Sequence, residues 1–171
     1  MQLTIREEQP PDRFPIRQVN EAAFERAAEA DLVDVLRAHD AVQLSLVAET
    51  AKRVVGHVLI SPVRLITEAG ELEGSGLGPM AVLPEYQRVG VGSQLVNEAI
   101  GRLRVRGVPF LVVLGHPRYY PRFGFVPASR QGLRCSWEVP DEAFMLLPLD
   151  PSRLAGVTGV VRYREEFDAV T

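Results

Sequence analysis

Near residue 90 the spacing of apolar residues changes, and that change limits the fold more than any other feature. From Val91 onward, Val91, Leu95, Ala99 and Leu103 form an i, i+4 stripe, widened by Val96 and Ile100, while Glu98, Arg102 and Arg106 can face water. Gly107 is a natural helix stop, and Val108–Leu114 follows as a nearly continuous apolar run. A run without alternation suits a strand covered on both faces. The stretch before the helix, near Leu77–Leu83, reads as a strand too. Strand, helix and buried strand in this order predict a right-handed crossover, with the two strands parallel.

The chain before the crossover predicts mostly antiparallel pairing. Leu3 and Ile5 alternate with polar neighbours as in a short strand, and Pro10, Pro11 and Pro15 can open a helix. Apolar residues from Ile16 to Leu36 recur at helical spacing, as one or two helices whose break the periodicity does not place. Val42–Ala48 and Arg53–Ile60 read as a hairpin around Thr50-Ala51-Lys52. Pro62 is expected to interrupt, after which Val63–Thr67 and Glu71–Glu73 flank Glu68-Ala69-Gly70 as a second hairpin. Gly74, Gly76 and Gly78 then form an unusual run, and strand glycines mark bulges or close approach of other groups.

Beyond the crossover, Arg118–Phe123 predicts a one- to two-turn helix closed by Gly124. Phe125-Val126 and Ala143–Leu149 predict late strands, Gly132–Pro140 a loop between them, and Val160–Tyr163 an edge strand. No repeat or linker divides the chain. The expectation is one α/β domain over 1–171, with a mixed, mostly antiparallel sheet flanked by helices.

Composition narrows the function. The 171 residues carry 19 Lys+Arg against 22 Asp+Glu, a net charge of −3, which argues against nucleic acid as the partner. The N-terminus is too charged for a signal peptide, and the longest apolar run, around Phe110–Leu114, is far too short to span a membrane. One cysteine, Cys135, and no His/Cys cluster predict neither a disulfide nor a metal site, and point to the cytoplasm.

The chemistry is carried by Gln87-Arg88-Val89-Gly90-Val91-Gly92, a glycine-containing loop running straight into the amphipathic helix. Early helix N–H groups lack intrahelical acceptors and sit at the positive end of the helix dipole. Gly90 and Gly92 let a diphosphate approach the backbone, and Gln87 and Arg88 can add side-chain contacts. Neither G-x-G-x-x-G after a first strand nor G-x-x-x-x-G-K-[ST] occurs.

In that context the segment resembles the Q/R-x-x-G-x-G/A signature of the GNAT superfamily of N-acetyltransferases. Tyr119-Tyr120-Pro121-Arg122-Phe123-Gly124-Phe125 resembles the family's Y-x-x-x-G-F element, and Phe144–Leu149 with Gly156–Tyr163 is similar to one bacterial branch. The resemblance implies acetyl-CoA as acyl donor, with no metal. Its pantetheine arm would meet the backbone of Ala81, Val82 and Leu83. Gln87, Arg88, Val89, Gly90, Val91, Gly92 and Ser93 would hold its pyrophosphate. The acceptor, a small-molecule or peptide amine, would attack the thioester directly, and Tyr120 would protonate the departing thiolate.

The family often has a glutamate on the strand before the loop. Leu77–Leu83 has no acid, and Glu71 and Glu73 lie elsewhere, so the base is unassigned. For Tyr120 the competing reading is aromatic packing beside Phe123 and Phe125. His116 follows the central strand and is a weaker candidate, and Cys135 has no nucleophile context. A homodimer stays open. Two rival functions do as well: a non-catalytic acyl-CoA-binding sensor, and transfer from another donor such as succinyl-CoA.

Overall fold

The computed structural model describes residues 1–170, which gather into two compact units. The first unit comprises residues 1–61, 78–99 and those from 165 onward. It holds β1 (Thr4–Glu7), α1 (Arg13–Phe24), α2 (Ala28–Ala38), β2 (Leu44–Thr50) and the first half of β3 (Arg53–Thr67). It also takes the end of β4 (Gly70–Val82) and the start of α3 (Val91–Val105). β1 pairs antiparallel with β2, Thr4 opposite Glu49, and β2 with β3, Leu44 opposite Ile60, across a bulge at Ala48/Glu49.

The helix break lies at Glu25, in left-handed conformation with φ 57°. Side chains cross-link the two helices over it. Arg17 of α1 pairs with Asp31 at 2.7 Å and Asp34 at 2.9 Å on α2.

Successive β3 residues face opposite ways, and each face has its own cover. On one, a Cβ at Gly56 would lie 3.0 Å from Val91 and Leu95, so α3 packs directly on the strand backbone. On the other, His57 is fully buried beside α1. Its Nδ1 accepts from the Asn20 amide at 3.3 Å and its Nε2–H donates to Ser45 Oγ at 2.9 Å. That tautomer follows from Asn20, whose amide nitrogen also donates to the Ile16 carbonyl at 3.0 Å. Burial, then Arg37, pushes the imidazole pKa down to about 3, so His57 is a neutral core group.

The second unit comprises residues 62–77 and 100–164. It contains β5 (Phe110–Leu114), β6 (Val126–Pro127), β7 (Leu133–Cys135), β8 (Phe144–Pro148), the one-turn α4 (Pro151–Leu154) and β9 (Gly159–Arg162). β4 and β5 are parallel, Ser75–Leu77 against Leu111–Val113. β8 lies antiparallel on β5 and pairs with β6, while β9 is antiparallel to the end of β3 and parallel to β7. Leu65, Phe110, Val112, Phe144, Leu146 and Val161 anchor its core. Hydrogen-bonded neighbours follow the order β1-β2-β3-β4-β5-β8-β6, the mixed, mostly antiparallel sheet expected.

Several expectations need correction. Pro62 does not interrupt: β3 runs through it, because proline's φ suits extended backbone and costs one ladder donor. Glu71–Glu73 and the glycine run join in the single strand β4. The parallel pair uses Ser75–Leu77, at the edge of the segment expected to form it. The expected loop at 132–140 contains β7, three residues long, too short for any periodicity to register. The α3 stripe is as predicted, with Leu95, Val96, Ala99 and Leu103 fully buried. Among the described residues no helix is long and apolar enough to cross a membrane.

Candidate active site

In the first unit β4 ends at Val82, and Ala81, Val82 and Leu83 are buried. Pro84–Tyr86 makes one 3-10 turn, with the Tyr86 N–H donating to the Leu83 carbonyl at 2.8 Å. Gln87 is extended, Arg88 turns left-handed at φ 63°, and Gly90 stands at φ 94°. A left-handed non-glycine residue costs about 1 kcal/mol or more, so the loop is held in shape against a local preference. One tether is visible. Gln87 Nε2 donates to the Val82 carbonyl at 2.9 Å, tying the loop to the end of its strand.

The first intrahelical bond of α3 runs from the Gln94 N–H to the Gly90 carbonyl, 3.1 Å. Gly90 is therefore the N-cap, and the N–H groups of Val91, Gly92 and Ser93 precede the first intrahelical acceptor. Residues 87–90 are exposed, including the Arg88 side chain. α2 places Glu29 and Asp31 in its first turn, the usual complement to a helix dipole, whereas α3 has no acid there. An exposed, positively polarised helix start beside a guanidinium suits a bound anion. The backbone around Ala81–Leu83 is partly committed, since the Leu83 N–H donates to the Val55 carbonyl at 2.9 Å and Val82 accepts from Gln87.

Leu83, Pro84 and Glu85 also line a groove of about 960 Å³. Of its charged lining residues, Asp12 and Glu49 are bridged by Arg6 at 2.7 and 2.8 Å, and Arg53 reaches Glu85 at 3.2 Å.

Tyr120 belongs to the second unit. It opens a 3-10 turn, Tyr120–Phe123, closed by Gly124 at φ 99°. Its ring is buried edge-on to Tyr119 and Phe125, with centroids 5.1 and 5.6 Å away. A Cβ at Gly115 would lie 2.5 Å from that ring, so the glycine ending the strand makes its seat. Burial, then Tyr119, raises the phenol pKa, which keeps the hydroxyl protonated across the physiological range. Such a group donates hydrogen bonds readily and gives up its proton reluctantly.

His116 is exposed, and its carbonyl caps this turn by accepting the Tyr119 N–H at 3.1 Å. Cys135 is half-buried and burial pushes its thiol up, away from nucleophilic reactivity. Cys135→Ser is expected to keep the acetyl transfer that the resemblance implies within a few-fold of the parent. Lost activity together with acetylated Cys135 in intact-protein mass spectrometry would overturn direct attack.

Sequence reasoning singled out the glycines of β4 without seeing their tenants. A Cβ at Gly74 would strike the Phe110 ring at 2.4 Å, and one at Gly76 would meet the Tyr163 ring at 2.9 Å. Tyr163 and Trp137, stacked at 4.9 Å with planes 16° apart, form a pair that the sequence did not single out. The alternate-residue glycine spacing was their one signal.

A family model described as an acetyltransferase (GNAT) domain matches residues 5–128. The uncharacterized N-acetyltransferase YhbS of Escherichia coli K12 is 39% identical over 167 residues, covering 97% of this chain and 99% of its own. YhbS from Escherichia coli has been solved in complex with CoA, with a TM-score of 0.92 at 38% identity over 98% of this chain and 93% of that one. A GNAT family acetyltransferase from Brucella melitensis, solved with acetyl-CoA, gives 0.81 at 37% identity over 98% and 99%. On the domain match and this near full-length identity, the chain belongs to the GNAT family of N-acetyltransferases.

Proposed function

We propose that this chain binds acetyl-CoA at the start of α3 and transfers its acetyl group to a primary amine on a small molecule or peptide. The observation that carries the reading is the exposed loop 87–90 with its N-cap at Gly90, leading into a helix without a first-turn acid. Val91, Gly92 and Ser93 N–H groups hold the pyrophosphate, with Arg88 as the added cation. Gln87 acts through the loop's shape, because its amide already serves Val82. The backbone of Ala81 and Val82 lies along the pantetheine arm, and Leu83 lends side-chain bulk, its N–H being committed to Val55. The lone cysteine and an intracellular acyl donor favour the cytoplasm.

In the reaction a neutral amine attacks the thioester carbon, a C–N bond forms, and collapse of the tetrahedral adduct breaks the C–S bond. The amine proton is lost to solvent or a water relay. The sulfur leaves as a thiolate, which accepts a hydrogen bond from the Tyr120 hydroxyl and then takes up a proton from solvent. The raised pKa of that hydroxyl fits stabilisation of developing charge better than full proton release. Tyr120→Phe is therefore expected to lower kcat about tenfold or more, with acetyl-CoA affinity within about twofold. An unchanged rate with chemistry limiting would reassign Tyr120 to packing.

The direct test is a panel of amines with acetyl-CoA, reading released CoA thiol. Amine-dependent release supports the reading. Tight acetyl-CoA binding with no turnover on any amine would favour the sensor.

A further inference from the structure

The walls around the Tyr120 ring differ in how firmly they are held. Gly115 lies against it as backbone at the end of β5, and Phe125, its centroid 5.6 Å away, is 2% exposed. The core fixes that side. Tyr119 and Phe123, at 5.1 and 6.2 Å, are only half-buried. Tyr119 stands edge-on to the Tyr120 ring with planes 87° apart, and edge-on to Phe123 at 5.4 Å. It touches both rings, so its placement sets the looser side. Arg122, on the same 3-10 turn as Tyr120, folds back onto Tyr119 in two ways. Its guanidinium carbon lies 4.4 Å from the centre of the Tyr119 ring, within cation–π range, and its Nε–H donates to the Tyr119 carbonyl at 2.9 Å. The His116 carbonyl holds the same stretch from the other end, accepting the Tyr119 N–H at 3.1 Å and the Tyr120 N–H at 3.4 Å.

We infer that Arg122 is a positioning residue for Tyr120: by clamping Tyr119 it fixes the half-buried side of the seat from which the Tyr120 hydroxyl donates during acetyl transfer. This rests on the acetyl-transfer reading above. Arg122 is exposed, and a long side chain that folds back gives up rotamer freedom it would keep in water. What it gains is a grip on one residue by both ring and main chain. The Tyr120 hydroxyl sits at the far end of its ring, so a small swing of the ring carries the oxygen further than any other ring atom. Reaction geometry is sensitive to misplacement of about 1 Å, and a donor that is already aimed need not reorganise as charge develops. The two grips together need a guanidinium. A lysine keeps the charge but has neither the Nε–H nor the flat face.

Arg122→Gln and Arg122→Lys make the test, because an exposed side chain is exchanged without opening the core. With acetyl-CoA and the best amine of the panel, kcat should fall about threefold to tenfold in both. Acetyl-CoA affinity should stay within about twofold, and the melting temperature within about 2 °C. Made in a Tyr120→Phe background, the same changes should cost nothing further, because their action passes through the missing hydroxyl. Unchanged kcat in Arg122→Gln overturns the inference. So does a full rate in Arg122→Lys, which would mean that charge alone suffices, and so do losses that multiply in the double variants. If Arg122→Gln keeps the parent rate while Tyr120→Phe is slow, this inference fails alone. If Tyr120→Phe itself keeps the parent rate, the reading of Tyr120 fails and takes this inference with it.

Discussion

Gly92→Asp is expected to separate folding from ligand binding. The position is the second residue of α3, among the N–H groups assigned to the pyrophosphate. An aspartate there complements the helix dipole and by itself stabilises an exposed helix start by roughly 0.3–1 kcal/mol. The same carboxylate puts bulk and negative charge where the phosphates are proposed to be held. Folding should be largely kept while acetyl-CoA affinity falls at least about tenfold, or about 1.4 kcal/mol. Calorimetric titration of folded parent and variant reads the result. Equal affinities would place the phosphates elsewhere and remove the main support for the proposed site.

The second large effect concerns stability in mild acid. His57 is fully buried and neutral, its pKa pushed down to about 3 from the usual 6.5. Between those values the unfolded chain takes up a proton that the folded chain refuses, so stability falls as pH drops below about 6.5. The slope approaches about 1.4 kcal/mol per pH unit, and a shift of this size corresponds to about 5 kcal/mol in the limit. The carboxylates act lower. Asp12, held below its usual pKa chiefly by Arg6, contributes stability that is lost only as pH falls below about 4. Denaturant unfolding at pH 7, 5.5 and 4.5 therefore isolates the histidine. His57→Gln should flatten the dependence in that window, whatever it does to stability at pH 7. A parent whose stability is the same at pH 7 and 4.5 would mean that His57 charges freely in the folded state.

These two sites differ in how far they could be read from sequence. The loop proposed for the phosphates was legible because its information is local: a change of period, two glycines and a helix start lie within about ten residues, and the binding proposed for it uses backbone N–H groups. His57 was not. On a strand it looks like any isolated histidine, and only the approach of Asn20 from α1 and Ser45 from β2 makes it a satisfied core group. Tyr120 is intermediate. Its motif identified the residue, while its buried seat at Gly115 and its raised pKa depend on packing.

Residue order sufficed for the elements whose hydrophobic pattern is long enough to register: the buried stripe of α3, the apolar run of β5, the β2–β3 hairpin, and hence a crossover set into an antiparallel sheet. Those follow from periodicity, because a helix stripe or a doubly covered strand leaves a repeating signal along the chain. Tertiary structure alone decided that β3 continues through Pro62 and that β7 forms beside β9. It also decided that Gly74 and Gly76 yield to the rings of Phe110 and Tyr163. Each of these depends on a partner far away in sequence. A glycine records that something comes close, and only packing decides what.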